Sequence, residues 1–322
     1  MTLLNQSVAN IDKRCIMPGH KPIIDNNISQ RAHSAYMGLA IGDALGATTE
    51  FLTPNEIKAQ YGVHETISGG GWLHLKPGQV TDDTEMSLAL GDALIKSGGV
   101  SAKAVAESFS DWMRSKPIDI GNTVRRGIVQ FRNTGRPWVD ENEYDAGNGA
   151  CMRSLPIAIL YVNGSVDTLI VASRTQAHTT HNNPLSDAGT EAALEMCAAA
   201  MKGEDKSRLR EIADRLVDNH KVFRFDNRRI ENPSGYIVET LQAVFQAIFD
   251  NDDFESTLID VVNRGGDADT TGAIAGMVAG ALYGQSGVPK KWLKRLDPFI
   301  VNRCKSQTDE LLKLAAEQPG AG

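Results

Sequence analysis

Cysteine is scarce in this chain: Cys15, Cys151, Cys197 and Cys304 are spread over 322 residues, and no two form a C-x-x-C pair. That excludes a disulfide scaffold and suits a reduced, cytosolic protein. Basic runs are also missing. No stretch of lysine and arginine exceeds two residues, and 33 basic against 40 acidic side chains give a formal net charge of -7. Non-specific nucleic-acid binding is not expected, although a small phosphate-bearing ligand remains compatible with local donors. Alternating strand patterns are sparse and no strand–helix–strand rhythm recurs, which argues against a parallel α/β sheet. No repeat of fixed period and no Pro/Gly/Ser linker divides the chain. Residues 1–28 lack a long apolar core and carry charges and prolines, so they read as neither a secretory signal nor a membrane span. The expectation is a flexible N-terminal extension over 1–28, followed by one domain over 29–322.

Helical periodicity is what the chain does have. Met86, Ala89, Leu90, Ala93 and Leu94 fall at helical spacing, as do Ile237, Leu241, Val244, Phe245 and Ile248. The segments SAKAVAESFSDWMRSK and SDAGTEAALEMCAAAMK are rich in good helix formers. The predicted fold class is all-α, a single multi-helix domain. Two predicted helices carry glycine every fourth residue: Gly38, Gly42 and Gly46, then Gly272, Gly276, Gly280 and Gly284. A mid-helix glycine costs up to ~1 kcal/mol, so such stripes make sense where another backbone approaches closely. The second stretch is too short to span a membrane. Tight packing in a buried core is expected, with each helix pointing one end at a shared site.

The sharpest chemical signal is QVTDDTEMSLAL, where Thr81, Asp82, Asp83, Thr84 and Glu85 crowd the start of an apolar helical pattern. Capping and the helix dipole account for one or two of these residues. They account poorly for adjacent like charges. NRGGDADTTG repeats the arrangement with Asp267, Asp269 and Thr270 ahead of the second glycine helix. If the two helix starts converge, Thr81, Asp82, Asp83, Asp267, Asp269 and Thr270 form an all-oxygen cage. Hard oxygen ligands favour Mg²⁺, Mn²⁺ or Ca²⁺, and this many acids suit two divalent ions better than one. No EF-hand register, Walker A loop or G-x-G-x-x-G fingerprint is present. SGGGW (68–72) and DAGNGA (145–150) read as turns whose N–H groups could hold a phosphate. In PIDIGNTVRRG, Asn122 is expected to cap a helix, while Asp119 could meet polar substrate groups. His181 reads first as a cap or a core hydrogen bonder. Tyr236 reads as core, or as a ring face for a base or sugar.

Taken together, GLAIGDALGATTEF, GQVTDDTEMSLAL, DAGNGACMRSLP, THNNPLSDA and NRGGDADTTGAIAGMVAGALYG resemble the ADP-ribosylglycohydrolase family, over about residues 31–312. The paired motifs TDDT and D-x-D-T-T-G, in this order, are very specific. The resemblance implies an all-α fold with a binuclear Mn²⁺ or Mg²⁺ centre held by Thr81, Asp82, Asp83, Asp267, Asp269 and Thr270. It implies that Glu50 reaches the metals and that Asp119 and Asn122 face the substrate ribose. Gly147, Asn148 and Gly149 would lie near the diphosphate, and His181 and Tyr236 near the distal ADP-ribose. The general acid/base would be Glu50 or Asp119. GGGWLHLKPGQVTDDTEM and RSKPIDIGNTVRRG look closest to members that remove ADP-ribose from an arginine of dinitrogenase reductase, the nitrogenase iron protein. That likeness implies a cytoplasmic monomer whose partners are the dimeric iron protein, a PII signalling protein and an ammonium transporter, the last through reversible membrane association. Asn183 stands where relatives often have a second histidine. The alternatives are another ADP-ribose linkage, such as serine, and a non-catalytic ADP-ribose-binding role. The intact acid clusters favour an enzyme. A two-metal phosphatase would explain the acids and not the N-glycosidase motifs.

Overall fold

A computed structural model describes residues 24–318. Fourteen α-helices account for most of them, in the order α1 (Asn26–Gly46), α2 (Pro54–Tyr61), α3 (Asp82–Ser97), α4 (Ala102–Arg114), α5 (Asn122–Thr134), α6 (Leu155–Leu160) and α7 (Val166–Ala177), continuing with α8 (Pro184–Met201), α9 (Lys206–Asn219), α10 (Ile237–Asp250), α11 (Phe254–Val262), α12 (Ala268–Gly287), α13 (Lys290–Leu293) and α14 (Pro298–Ala315). The all-α expectation holds. Among the described residues, extended pairing is limited to two isolated bridges, Gly70 with Leu75 and Gly147 with Tyr236. No helix among them is long and apolar enough to cross a membrane. The expected N-terminal extension falls outside the described residues up to residue 23. Asp25 caps α1 by accepting from the Ile28 N–H at 2.8 Å, so residues 26–28 are already helical.

The predicted apolar faces are buried. Met86, Leu90, Ala93 and Leu94 point inward from α3, as do Ile237, Leu241, Val244, Phe245 and Ile248 from α10. Helices α1 and α12 form the centre and are buried nearly all round, from Ser34 to Gly46 and from Ala268 to Ala281. Their glycine stripes face each other. A Cβ at Gly38 would lie 2.1 Å from the Gly276 carbonyl oxygen, one at Gly42 would lie 1.9 Å from that of Gly272, and one at Gly46 would lie 2.1 Å from that of Ala268. Residue numbers rise on one helix as they fall on the other, so the pair is antiparallel. The C-terminal end of α1 therefore meets the N-terminal start of α12, and the two glycine helices do deliver one end each to a common place. Gly284 leaves helical geometry and kinks α12. Around this pair, α8, α10 and α11 pack on α12, while α3 and α14 close against α1.

Candidate metal centre and substrate cleft

Helix N-termini sort into two groups. Asp25, Thr53, Ser101, Ser165, Asn183, Asp205, Asp253 and Asp297 each cap their own helix through a side-chain oxygen. The starts of α3, α5, α6, α10, α12 and α13 have no such side-chain cap. Residues at or next to four of these six starts, those of α3, α5, α10 and α12, line one cleft of about 720 Å³, a size suited to a nucleotide-like ligand. The positive ends of these four helices face the carboxylates gathered there and offset part of their mutual repulsion.

The start of α3 is held from another helix. Asp43, in the last turn of α1, accepts from the Thr81 N–H at 3.0 Å, the Thr84 N–H at 3.1 Å and the Thr84 hydroxyl at 2.5 Å. With the first turn capped from outside, Thr81, Asp82 and Asp83 are released from that task. The Thr81 hydroxyl donates to Asp83 Oδ2 at 3.2 Å and lies 3.5 Å from Asp269 Oδ2, while the Thr270 hydroxyl reaches Asp83 Oδ2 at 3.4 Å. The two acid clusters of the sequence are thus one cluster in space. Glu85 turns away and accepts from the Trp112 indole at 2.8 Å.

Asp267 is delivered by a glycine pair. Gly265 and Gly266 both adopt left-handed backbone, and a Cβ at Gly265 would lie 1.9 Å from the Leu52 carbonyl oxygen. The turn places Asp267 where Asn148 Nδ2 donates to its Oδ2 at 2.5 Å. Glu50, Asp267 and Asp269 bring one carboxylate oxygen each within 4.8 Å of one another, close enough to share a cation.

Electrostatics agree with a cation site. The cleft lining carries Glu50, Asp82, Asp119, Asp267 and Asp269 and no lysine or arginine. Burial, aided by Asp119 and Asp43, pushes Asp82 up to about 8. Burial with the charges of Asp267 and Asp119 pushes Glu50 up to about 8, against the Trp72 hydrogen bond that lowers it. Burial also raises Asp83 and Asp269 well above the carboxylate range and raises Asp267. Carboxylates crowded without a counter-charge either keep their protons or bind cations. Asp83 Oδ1 is buried with no hydrogen-bond partner. An orphaned acceptor in an all-oxygen set of acids and hydroxyls fits a hard divalent cation.

The remaining predicted residues divide. Asp119 and Asn122 line the cleft. Asn122 does not cap α5: Gly121 occupies that position, and its N–H points at Asp82 Oδ2, 3.3 Å away. Gly147, Asn148 and Gly149 also line the cleft. Asn148 is tied to Asp267 and to the Thr240 hydroxyl, so it supports the acid cluster as well as the loop. His181 is buried beneath that loop, and a Cβ at Gly149 would come within 2.8 Å of its ring. Burial, with Arg153 and Arg126 nearby, pushes His181 down to about 3, so the ring is neutral. Thr180 Oγ1 accepts from Arg153 Nη2 at 2.8 Å and leaves its own proton for His181 Nδ1, also at 2.8 Å. The Nδ1 side of the ring is thus taken up by Thr180, and Nε2 faces the glycine loop, 3.1 Å from where a Cβ at Gly147 or Gly149 would lie. His181 therefore neither caps nor titrates near neutrality. Asn183 caps α8 and ties down the carbonyls of Asn142 and Glu143, a structural task that an imidazole could not copy. Tyr236 is half-exposed and stands outside the lining, with its backbone bridged to Gly147.

Three residues were missed in the sequence reading. Asp43 gave a signal, since it is a lone acid in an otherwise apolar helix. Phe51 and Trp72 gave little. Of the SGGGW turn, Trp72 is the residue that lines the cleft. Its indole N–H donates to Glu50 Oε2 at 2.6 Å.

Comparison with known proteins places these features. The family model described as ADP-ribosylglycohydrolase matches residues 25–321. The ADP-ribosyl-[dinitrogen reductase] glycohydrolase of Rhodospirillum rubrum is 47% identical over 289 residues, covering 90% of this chain and 98% of its own. ADP-ribosylarginine hydrolase Tri1 of Serratia proteamaculans is 30% identical over 318 residues, covering 94% of this chain and 83% of its own. A solved structure titled ADP-ribosylglycohydrolase-related protein complex superposes with a TM-score of 0.80 at 32% identity, over 90% of this chain and 99% of that one.

Proposed function

The chain belongs to the ADP-ribosylglycohydrolase family, and from that premise we propose that it is a metal-dependent hydrolase removing ADP-ribose from a protein arginine, with ADP-ribosylated dinitrogenase reductase as its substrate. The observation that carries this reading is the joining of the two acid clusters, bridged by Thr81 and Thr270, at the floor of a cleft lined without basic side chains. The substrate follows from the dinitrogen reductase relative, whose 47% identity extends over nearly its whole length.

Thr81, Asp82, Asp83, Asp267, Asp269 and Thr270 would hold two divalent cations, Mn²⁺ or Mg²⁺, with Glu50 completing the set. When bound, such ions supply charge stabilisation at the ribose hydroxyls and lower the pKa of a nearby water. The protein side chains then have separate tasks. Cleavage of the N-glycosidic bond builds oxocarbenium-like charge at the anomeric carbon, and the surrounding carboxylates stabilise it. Glu50 is gathered with Asp267 and Asp269 and pinned by Trp72, which suits a ligand. Asp119 is half-buried across the cleft, with Oδ1 anchored by the Ile120 N–H at 2.8 Å. Its second oxygen suits the proton transfer to the departing guanidine. The uncapped N-terminus of α5, with Asn122, faces the ribose. The Gly147–Gly149 loop, with the His181 ring behind it, faces the diphosphate. Tyr236 at the rim would meet the distal end of ADP-ribose.

The same reading takes the helical part of the chain, from α1 onward, as one catalytic domain acting in the cytoplasm as a monomer. Family resemblance alone supports a PII protein and an ammonium transporter as further partners. The test is to incubate the purified protein with arginine-ADP-ribosylated iron protein and with a serine-linked conjugate, side by side with Mn²⁺. Release of ADP-ribose from the arginine conjugate and restored reductase activity support the reading. Release from the serine conjugate alone moves the substrate to another linkage.

A further inference from the structure

We propose that Phe51 and Trp72 form the platform on which the guanidinium of the substrate arginine stacks, so that this pair selects arginine-linked over hydroxyl-linked conjugates. The inference rests on the reading that an arginine is the departing group, and it adds the residues that recognise it.

Four observations converge. Phe51 is 63% exposed and Trp72 49% exposed, yet both line the cleft rather than the outer surface. Their ring centroids lie 5.3 Å apart at 50°, a tilted contact in which neither ring stacks flat on the other. Phe51 holds a φ of +62°, a left-handed backbone that a bulky residue adopts only under strain. Packing does not repay that strain, because the side chain is mostly in solvent. The conformation is held by the Phe51 N–H donating to the Gly266 carbonyl at 2.7 Å, and the ring it carries lines the cleft. Finally, the lining carries five carboxylates and no lysine or arginine, so the field in the cleft favours a cation.

Position decides which cation. Trp72 is bonded to Glu50, and Glu50 is gathered with Asp267 and Asp269. The ring pair therefore borders the acid cluster, where the anomeric carbon must sit. The glycine loop and His181 lie on the Asn148 side of Asp267. We place what leaves the anomeric carbon on the ring side and the nucleotide on the side of the glycine loop. A guanidinium is planar, weakly hydrated and stacks well on aromatic faces. A serine hydroxyl offers nothing comparable.

Two variants test the pair. Phe51→Gly removes the ring while suiting the left-handed backbone, so the melting temperature should hold or rise. Trp72→Phe keeps a ring and loses the N–H to Glu50. The readouts are KM for the arginine conjugate, competitive inhibition by ADP-ribose, and calorimetric binding of agmatine against pentylamine. We expect Phe51→Gly to weaken agmatine binding and raise KM about tenfold, with ADP-ribose inhibition unchanged. Trp72→Phe should retain the preference for agmatine over pentylamine and lose turnover instead. Unchanged agmatine binding in Phe51→Gly overturns the proposal. Equal loss of ADP-ribose inhibition also overturns it, by assigning the rings to adenine. Agmatine binding needs no turnover. If the wild type leaves arginine conjugates intact but binds agmatine through Phe51, the hydrolase reading fails and the platform stands.

Discussion

Asp43 shows how one side chain can organise a site that it does not line. Its carboxylate satisfies the N–H groups of Thr81 and Thr84 from across the α1–α3 interface. Asp43→Ala leaves those groups buried and unpaired, and urea unfolding should show a loss of about 2 kcal/mol. Metal affinity should fall with it, because the α3 start is no longer held. Gly149 makes a second point. A methyl group there would press within 2.8 Å of the His181 ring, so Gly149→Ala should raise KM roughly tenfold while kcat changes little. An equal fall in kcat would place His181 in the chemistry rather than in binding. Residues of this kind mark the limit of what the sequence told. TDDT and DADTT were legible because several acids beside an apolar helix start conflict with ordinary capping. Asp43 stood out as a lone acid among apolar residues, but its task was not legible, because nothing local says which helix its carboxylate will reach. Asn122 was misread as a cap because its neighbour Gly121 already has the extended backbone of that position.

Helix pairs, more than single residues, set the distance between the two acid clusters. The α1–α12 seam runs on glycine, with backbones so close that a methyl at Gly42 would sit 1.9 Å from the Gly272 oxygen. Gly42→Ala gains helix propensity locally, yet it must part the helices. We expect a net loss of about 3 kcal/mol, read by denaturant unfolding, together with weakened metal binding. A variant of wild-type stability would mean that the seam is slack. The stripes were legible as close packing, and the shared site at their ends followed from the clusters beside them. The antiparallel sense was not written in either helix, since it depends on the path of everything between. The SGGGW stretch was legible as a turn for its glycines, while its direction, which carries Trp72 onto Glu50, is set by tertiary packing.

At the scale of the molecule, the acid cluster couples stability to pH and to metal. Unfolded Asp and Glu titrate near 4, whereas Glu50 and Asp82 in the folded, metal-free protein are raised to about 8. Between those values the folded state holds more protons than the unfolded state, so stability falls as pH rises from about 4 to 8. The melting temperature of chelated protein should therefore drop from pH 5.5 to pH 8.5. Mn²⁺ should raise it more at the alkaline end, because metal replaces protons that are already leaving. A flat profile would contradict the shared burial of these carboxylates. The central claim is that the joined acid clusters are a metal cage that drives N-glycosidic cleavage. Its most direct measurement is a Mn²⁺ titration of chelator-stripped protein, following bound metal and ADP-ribosylarginine hydrolysis in the same samples, with Asp267→Ala beside the wild type. Turnover should rise in step with bound metal, and the variant should lose both together. Full turnover with no metal bound would contradict the account.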